Sequence, residues 1–339
     1  METEAETEIE IQSPDGQTKL FLRQQNKSIR VLHQRSDMGL TFDTTLELGK
    51  GSPAYSNLEA LFIELAKGSP DPITTLRLND LGYRSQTPMK NLSGVTQSIL
   101  ETLINSAERT NYTYDLAPLS LRYLAHTVAI VTHSTPTRIL KLFEEIEQDE
   151  AFKKHVVELT KKQSARLIAT SDGTVKLGRR LGWYAVVREL KPKLVIETGV
   201  DKGLGSIMLC AALRRNVEDG APGRYMGTDI DPAAGYLLAP PYSDVGEIVY
   251  GDSIETLKKV NDKVDVFIND SDHSKQYEAD EYAVIAPHLS EKAVVLGDNA
   301  HFSDKLADFA EETGRKFLFW QEKPVGHWYK GAGIGFAFK

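Results

Sequence analysis

The segment of residues 194–206 places the strongest constraint on the fold of this chain. It begins with a short apolar run, Leu194 to Ile196, passes through the acid Glu197, and continues into a loop with glycines at positions 199, 203 and 205. A helical run from Ile207 to Arg215 follows. A strand that leads through a glycine-rich loop into a helix is how α/β sheets present a nucleotide-like ligand. The segment therefore predicts an α/β sheet with a ligand site at the end of this strand.

The acid in this segment limits which ligand the loop can hold. Glu197 lies at the strand end, where its charge would repel a pyrophosphate and would attract a cation or a free ammonium group. Gly199 and Gly203 allow the backbone to approach the ligand closely and to adopt positive φ. A nucleotide-like ligand with a cationic group is therefore favoured, and a nicotinamide dehydrogenase is disfavoured.

Length and composition disfavour several other classes of protein. The 339 residues allow about two domains of ~100–200 residues each. The formal net charge of -8 offers no basic field for nucleic acid, so we expect a small-molecule substrate. Cys210 is the only cysteine, the N-terminus is acidic, and no apolar run approaches the ~20 residues of a membrane span. We expect a cytoplasmic protein with no signal peptide and no membrane or nucleic-acid partner.

From about residue 166 onward, apolar strand patterns alternate with helical patterns. Repeated βα units of this kind predict a doubly wound, Rossmann-like sheet that is mostly parallel and binds ligands at the carboxyl ends of its strands. The predicted strands begin near residues 194, 225, 247, 264 and 293, and a closing antiparallel hairpin covers 316–321 and 333–338. The predicted helices include Val175 to Leu190 and Tyr277 to Leu289. We therefore expect residues 166–339 to form one α/β domain.

Residues 1–165 show a different pattern, in which short strands precede helices. Alternating apolar residues around the turn signal Ser13 to Gly16 predict a hairpin, and later apolar residues spaced three and four apart predict helices. The predicted strands lie near residues 9–11, 19–22, 28–32 and 40–48, and the predicted helices near 56–68, 95–104, 119–131, 139–146 and 152–167. We expect a smaller α+β accessory domain that serves substrate binding or oligomerisation, and hence a homo-oligomer.

Polar residues at the ends of the second and third strands are candidate ligand contacts. Asp229 ends the second strand, where a dinucleotide fold carries the acid that accepts hydrogen bonds from ribose hydroxyls. Asp252 and Ser253 end the third strand, where either could bond an adenine edge. These positions also suit helix caps, for which Asp and Ser are preferred. For Asp252 and Ser253 the two roles are compatible.

The next two strand ends carry the densest group of polar residues. One run, Asn269 to His273, contains Asp270, and the other, Gly297 to His301, contains Asp298 and Asn299. Carboxylate and amide oxygens are hard ligands that suit Mg²⁺ or Mn²⁺ better than zinc. If Asp270 and Asp298 lie close together, either a cation balances them or one carboxyl has a raised pKa. A metal site is the favoured interpretation, and a polar pocket rim without metal is the alternative.

Two histidines in these runs are candidates for the general base. His273 follows Asp270 by three residues and could reach the same space near neutral pH. His301 could also act as the base or contact the substrate. His273 is the favoured candidate.

At this point the segment from Val175 to Lys339 resembles the class I S-adenosylmethionine-dependent methyltransferases. Glu197, Gly199 and Gly203 are similar to the first motif of that family, E-x-G-x-x-x-G. The resemblance implies that S-adenosylmethionine is the cofactor and that Glu197 lies near its methionine amino group. It also implies that Asp229 holds the ribose hydroxyls, and that Asp252 and Ser253 flank the adenine.

Within this class, two metal-dependent groups look most similar. Asp270 with the pair Asp298 and Asn299 resembles the catechol and caffeoyl-coenzyme A type, and the run from Asp270 to His273 resembles the D-x-D-H motif of the macrocin type. The resemblance implies that Asp270, Asp298 and Asn299 bind Mg²⁺ or Mn²⁺ and that His273 is the catalytic base. The chain departs from these groups at Ser271, where glycine is usual, and at Asn299, where the macrocin type has a second Asp.

Together these features predict an O-methyltransferase that acts on a hydroxyl of a small molecule, such as a secondary metabolite, a sugar or a phenol. Two alternatives remain open. One is a metal-independent N- or C-methyltransferase whose acids hold a substrate amine. The other is a regulatory protein that binds S-adenosylmethionine without turnover.

Overall fold

A computed structural model of the chain describes residues 8–12, 18–25, 28–35, 40–47, 113–164, 167–168, 171, 174–327, 329 and 331–339. The chain divides into two compact units. The first comprises residues 1–112, 169–171 and 326–330, and the second comprises residues 113–168, 172–325 and 331–339.

In the first unit, four strands form an antiparallel meander in the order β1-β2-β3-β4. Leu22 and Val31 face each other across β2 and β3, and both side chains are fully buried. On exposed side chains of β3 and β4, Arg30 and Asp43 form an ion pair at 2.6 Å. The strands are β1 (Glu8–Gln12), β2 (Thr18–Gln25), β3 (Ser28–Arg35) and β4 (Leu40–Glu47). The four predicted strands are therefore confirmed, whereas the predicted helices at 56–68 and 95–104 lie outside the described residues.

The second unit is built on a seven-stranded sheet in the order β11-β13-β10-β9-β6-β7-β8. The strands are β6 (Leu194–Thr198), β7 (Arg224–Asp229), β8 (Gly246–Tyr250), β9 (Val264–Asn269), β10 (Leu289–Asp298), β11 (Lys316–Gln321) and β13 (Gly333–Phe338). Strands β6 to β10 pair in parallel, and β13 pairs antiparallel with β10 and β11. The predicted Rossmann-like, mostly parallel sheet with a C-terminal antiparallel pair is thus confirmed. All five residues of β6 are buried, as expected for a strand at the centre of a sheet covered by helices.

Helices lie where the spacing of apolar residues in the sequence changes to that of a helix. They are α1 (Pro118–Val131), α2 (Pro136–Glu147), α3 (Glu150–Thr160), α4 (Arg180–Leu190), α5 (Leu204–Glu218), α6 (Ser253–Leu257), α7 (Lys275–Ile285) and α8 (Lys305–Glu312). Local chemistry fixes some of their starts: Thr135 and Asp149 accept hydrogen bonds from backbone N–H groups in the first turns of α2 and α3. No helix in the part of the chain that the structure describes is long and apolar enough to cross a membrane.

The helices α1 to α3 belong to the unit that contains the large sheet, which begins at residue 113 rather than at the predicted 166. Helix α2, whose buried face includes Phe143, packs against α4. Arg188 of α4 pairs with Glu145 of α2 at 2.9 Å. A short ladder between β5 (Asp115–Leu116) and β12 (Pro324–Val325) joins the start of this unit to its end. The sequence pattern indicated that these helices have an apolar face, but it did not indicate which surface covers that face.

Two boundaries differ from the sequence expectation for local reasons. Helix α4 begins at Arg180 rather than near Val175, because Gly178 adopts a φ of 51° and sits against Tyr114. Helix α7 ends at Ile285, and Leu289 starts strand β10 instead of ending the helix, after a short turn that contains Pro287.

Candidate functional site

The glycine loop after β6 brings two strand ends into direct contact. Gly199 has a φ of 81°, and a Cβ atom at this position would lie 2.0 Å from the backbone oxygen of Asp270. Gly203 has a φ of 92° and lies against Gly235, where a Cβ would be 3.1 Å from the neighbouring Cα. Residues other than glycine would push the loop away from the end of β9, so the spacing of these glycines has a steric cause.

A cavity of ≈ 590 Å³ opens at the carboxyl ends of β6, β7, β8 and β9. Its volume lies in the range of small-molecule sites, about 300–1,000 Å³. Its lining includes five of the predicted site residues, namely Gly199, Asp229, Asp252, Ser253 and Asp270. Arg179, Arg180, Ser271 and Tyr277 also line it. The structure thus brings four of the six predicted cofactor residues and one predicted metal ligand to one cavity, as expected for a parallel sheet. The predicted residues that are not part of its lining are Glu197, Gly203, His273, Asp298 and Asn299.

Asp229 organises the loop beside which it lies. Its Oδ2 accepts hydrogen bonds from the backbone N–H groups of Val200 at 2.8 Å and Asp201 at 3.0 Å. Its Oδ1 accepts a hydrogen bond from the backbone N–H of Asp231 at 2.9 Å. The carboxylate therefore holds the glycine loop in place while it also faces the cavity. Its predicted contact with ribose hydroxyls stays a prediction.

Asp252 and Ser253 lie at the start of α6. Asp252 caps this helix by accepting a hydrogen bond from the N–H of Glu255 at 2.9 Å, and its second oxygen accepts one from Tyr277 at 3.1 Å. Ser253 is nearly buried and contacts the Tyr277 hydroxyl at 2.9 Å. The capping role expected at this position is thus present, and both residues line the cavity. Their predicted contacts with adenine stay a prediction.

Glu197 is buried beneath the loop and is not among the residues that line the cavity. Its Oε2 accepts hydrogen bonds from Ser206 at 2.9 Å and from Tyr225 at 2.5 Å. Gly205 packs against its other oxygen so tightly that a Cβ would lie 2.2 Å away. Burial raises the pKa of the Glu197 carboxyl to about 7, against the opposing effect of these two hydrogen bonds. Glu197 therefore contacts Ser206 and Tyr225 in the protein interior. Its predicted position near a cofactor amino group stays a prediction.

Asp298 is fully buried at the end of β10 and forms a bidentate ion pair with Arg179. The Nη2 atom of Arg179 donates to Oδ2 of Asp298 at 2.5 Å, and its Nε donates to Oδ1. Arg179 also donates to the hydroxyl of Tyr114 at 2.8 Å and lies 3.6 Å from Glu322. Burial alone would raise the pKa of Asp298, but the Arg179 charge and hydrogen bonds hold it below its usual value.

The pKa of Asp270 is shifted in the direction opposite to that of Asp298. Burial, followed by the nearby charge of Asp298, raises the pKa of its carboxyl well above the usual value. In the absence of a further cation, the negative charge of the pair is therefore favoured on Asp298 over Asp270. This is one of the two outcomes expected for two neighbouring carboxyls.

His273 lies close to both Asp270 and Asn299. Its Nε2 is 3.8 Å from Oδ1 of Asp270 and 3.0 Å from Nδ2 of Asn299, while its Nδ1 is 3.5 Å from Oε1 of Glu278. The amide of Asn299 is thus within hydrogen-bond distance of Nε2, while Nδ1 is buried without a hydrogen-bond partner among the described residues. The ring stacks on Phe302 with centroids 6.1 Å apart. His301 is exposed, and it contacts Phe302 rather than Asp270.

Three side chains here offer donor atoms of the kind that bind a divalent cation. Asp270, His273 and Asp298 each offer one ligand atom, and these atoms all lie within 4.8 Å of one another. Asn299, which adopts a φ of 53°, contacts His273 instead of completing this set. The lone pair of His273 Nε2 and the carboxylates fit a cation by donor chemistry, although Arg179 already neutralises Asp298.

Four residues of this site were missed at the sequence level. Arg179 and Arg180 line the cavity from the start of α4, Glu278 faces His273, and Glu281 is fully buried among hydrogen-bond donors. The oxygens of Glu281 accept from Thr198 at 3.2 Å, from Ser271 at 2.9 Å, and from Ser253 and Asn269. Burial raises the pKa of Glu281 to about 7. One signal could have revealed the glutamates, because they share the spacing of the buried Tyr282 and Ile285 on α7.

Comparison with known proteins identifies the central part of this unit. Residues 196–300 match the family described as a methyltransferase domain. This match, which spans the end of β6 to the end of β10, confirms the resemblance to class I S-adenosylmethionine-dependent methyltransferases. No curated protein matches the chain.

Several solved structures of methyltransferases are similar to part of this chain. The O-methyltransferase TomG from Streptomyces achromogenes, solved with S-adenosylmethionine, is 18% identical over 56% of this chain and 90% of that chain, with a TM-score of 0.42. A methyltransferase from Geobacter sulfurreducens is 18% identical over 55% of this chain and 90% of that chain, with a TM-score of 0.42. A methyltransferase of Podospora anserina with bound S-adenosylhomocysteine is 18% identical over 56% and 88%, with a TM-score of 0.40.

Proposed function

We propose that the protein transfers the methyl group of S-adenosylmethionine to a hydroxyl oxygen of a small molecule. The observation that carries this proposal is the shared cavity, in which Gly199, Asp229 and Asp252 adjoin Asp270. The match of residues 196–300 to a methyltransferase domain supports it independently. The proposed acceptor is a secondary metabolite, a sugar or a phenol.

In the cofactor half, each proposed contact follows from the lining of the cavity. Gly199 allows the loop to approach the cofactor, Asp229 accepts from the ribose hydroxyls, and Asp252 and Ser253 flank the adenine. Asp229 already holds the loop through two backbone N–H groups, those of Val200 and Asp201, so one carboxylate would fix both the loop and the ribose. Catalysis would then depend strongly on positioning, because in-line methyl transfer needs the acceptor oxygen aligned with the methyl group.

In the acceptor half, we propose His273 as the general base. Its Nε2 faces Asp270, and the carboxyl group of Glu278 lies 3.5 Å from its Nδ1, which favours a proton on Nδ1 and a lone pair on Nε2. Glu278 is itself buried and accepts a hydrogen bond from Ser303. A base held in this way would remove the proton from an acceptor hydroxyl as the oxygen attacks the methyl group.

We also propose that Asp270 and Asp298 hold Mg²⁺ or Mn²⁺, with Asn299 as a further candidate ligand, so that Nε2 of His273 is left to act as the base. The converging carboxylate oxygens support this assignment. When bound, such an ion would lower the pKa of the acceptor hydroxyl and orient it. It would also favour the charged form of Asp270, whose pKa is raised well above its usual value when no cation faces it.

A metal-independent methyltransferase is a second candidate, because one specific observation favours it. Arg179 donates to both oxygens of Asp298, so the charge of this acid is balanced without a metal. In this case Asp270 alone would remain to hold a substrate amine, and the acceptor atom would be nitrogen or carbon.

One experiment separates these candidates. The protein is incubated with methyl-labelled S-adenosylmethionine and panels of hydroxyl and amine acceptors, with and without exhaustive chelation and subsequent addition of Mg²⁺ or Mn²⁺. The main proposal predicts label on oxygen, loss of transfer after chelation and recovery with either ion. Undiminished transfer after chelation would exclude the metal and favour the second candidate. Tight cofactor binding with no transfer to any acceptor would indicate a regulatory protein.

Three further expectations from the sequence also remain proposals. We infer a homo-oligomer, an accessory role of residues 1–165 in substrate binding or oligomerisation, and a cytoplasmic setting. Cys210 is buried and unpaired, which supports a reducing compartment. Light scattering of the full chain and of a chain that begins at residue 113 would test the first two.

A further inference from the structure

The two neighbouring arginines at the start of α4 have different surroundings, although both line the cavity. Arg179 is buried, and its guanidinium donates hydrogen bonds to Asp298 and Tyr114. Arg180 is only partly buried, and its Nε is buried without a hydrogen-bond partner in the described part of the chain. Its guanidinium lies 5.7 Å from the ring of Trp183. Arg180 thus offers charged donors to the cavity that no side chain described here accepts.

Acids that lie near Arg180 have other partners. Three carboxyls lie near enough for its charge to lower their pKa, namely Glu197, Asp270 and Asp298. Asp298 is already paired with Arg179, and Glu197 lies beneath the loop outside the cavity lining, where Ser206 and Tyr225 donate hydrogen bonds to it. Neither acid therefore occupies the guanidinium of Arg180, which remains available to an anionic ligand.

The remainder of the cavity is unfavourable for an anion. Asp229 and Asp252 line the part proposed for the ribose and adenine, and each carries a carboxylate. A ligand carboxylate placed there would face like charges at close range. The cofactor of the proposed reaction carries one carboxylate, on its methionine moiety, so the charge pattern of the cavity fixes its orientation.

We propose that Arg180 binds the α-carboxylate of the methionine moiety of S-adenosylmethionine. This inference rests on the proposed function. A planar guanidinium can donate two parallel hydrogen bonds to a carboxylate, which gives both affinity and direction. With the carboxylate at Arg180 and the ribose at Asp229, the sulfonium lies between them, beside Gly199 and Asp270.

The test compares two ligands that differ only in this carboxylate. Binding of S-adenosylmethionine and of decarboxylated S-adenosylmethionine is measured by calorimetry for the full-length wild type, R180M and R180K. Charged hydrogen bonds of this kind contribute enough that R180M should weaken binding of S-adenosylmethionine about 10- to 100-fold. R180M should change binding of the decarboxylated form less than about 2-fold, and R180K should fall between R180M and the wild type. R122M, at an exposed position on α1, is the matched control and should bind both ligands like the wild type.

Each other outcome contradicts the assignment in a recognisable way. If R180M weakens binding of both ligands equally, Arg180 acts on the fold or on the acids rather than on the carboxylate. If R180M affects neither ligand, the carboxylate lies elsewhere. Circular dichroism identifies an unfolded R180M, in which case R180Q provides the same comparison. If the wild type binds neither ligand, the proposed function fails, which is distinct from a wild type that binds both with equal affinity.

Discussion

The acids of the two halves of the site have different partners. In the cofactor half, Asp229 and Asp252 accept hydrogen bonds from backbone N–H groups, so each charge is spread over neutral donors that also shape a loop or start a helix. In the acceptor half, Asp270 and Asp298 lie close to each other and to His273, and a buried arginine balances one of them. The same residue type therefore has a structural role in one half and a perturbed protonation state in the other.

This difference indicates where chemistry is expected. Carboxylates held by backbone donors have a fixed position, which suits recognition of a constant ligand. Neighbouring carboxyls that share protons and a histidine can change protonation during a reaction. The acceptor half is thus the more reactive of the two, and the variants below test that contrast.

The largest effect is expected from His273. We predict that H273A lowers kcat about 10²- to 10⁴-fold, the usual contribution of a general base, while binding of S-adenosylhomocysteine changes little. H301A removes the alternative base and should lower kcat less than about 3-fold, because His301 contacts Phe302 and not Asp270. Steady-state kinetics on both variants measure kcat, and calorimetry measures binding of S-adenosylhomocysteine. The reverse ranking would assign the base to His301.

The next largest effect concerns the ion pair between Arg179 and Asp298. R179M leaves a buried carboxylate without its partner, so we predict a loss of about 3–5 kcal/mol in the free energy of unfolding. The double variant R179M/D298N removes the stranded charge and should be more stable than R179M alone. Urea unfolding at neutral pH measures all three proteins. Equal stability of R179M and the wild type would mean that the pair contributes nothing.

A third prediction uses Glu197, a buried acid with neutral partners. Its folded pKa of about 7 exceeds its ordinary value of 4.5, so the folded state binds a proton that the unfolded state releases between these values. Stability from this group is therefore present at low pH and is lost as pH rises toward 7. E197Q lacks this titration. Its stability relative to the wild type should rise by up to about 3 kcal/mol between about pH 5 and about pH 8. A difference that does not vary with pH contradicts the raised pKa.

The smallest effect is expected in the cofactor half. D229N turns an amide group toward the N–H groups of Val200 or Asp231, so we predict about 10-fold weaker binding of S-adenosylmethionine with a smaller change in kcat. D231N is the matched control, because Asp231 is exposed and bonds only the nearby N–H of Ala233 among the contacts described. Its affinity should stay within about 2-fold of the wild type. A larger change in kcat than in affinity for D229N would place Asp229 in the chemical step.

Much of the sheet could be predicted because its signals are local. Each apolar run that ends in an acid or amide, such as β7 with Asp229 and β9 with Asn269, became a parallel strand. The parallel arrangement then required Gly199, Asp229, Asp252 and Asp270 to meet at one edge, as they do in the cavity. The boundaries were less accurate, as the late start of α4 shows, because tertiary contacts with Tyr114 determine it.

The contacts that balance the charges of the site could not be predicted in this way. Arg179 and Asp298 are 119 positions apart, and no periodic pattern connects them. Glu278 and Glu281 appear as ordinary acids of a helix until the strand ends that cover them are known. Glu197 illustrates the opposite case, since its position at a strand end suggested a ligand contact while its depth beneath the loop gave it Ser206 and Tyr225 as partners.

The most direct test of the central claim is to follow the methyl label in the wild type and H273A, with S-adenosylhomocysteine binding measured on the same samples. The predicted result is that both proteins bind S-adenosylhomocysteine with similar affinity and that only the wild type transfers the label, to a hydroxyl oxygen. The claim would be contradicted if the wild type does not bind S-adenosylhomocysteine, or if H273A transfers the label at the wild-type rate.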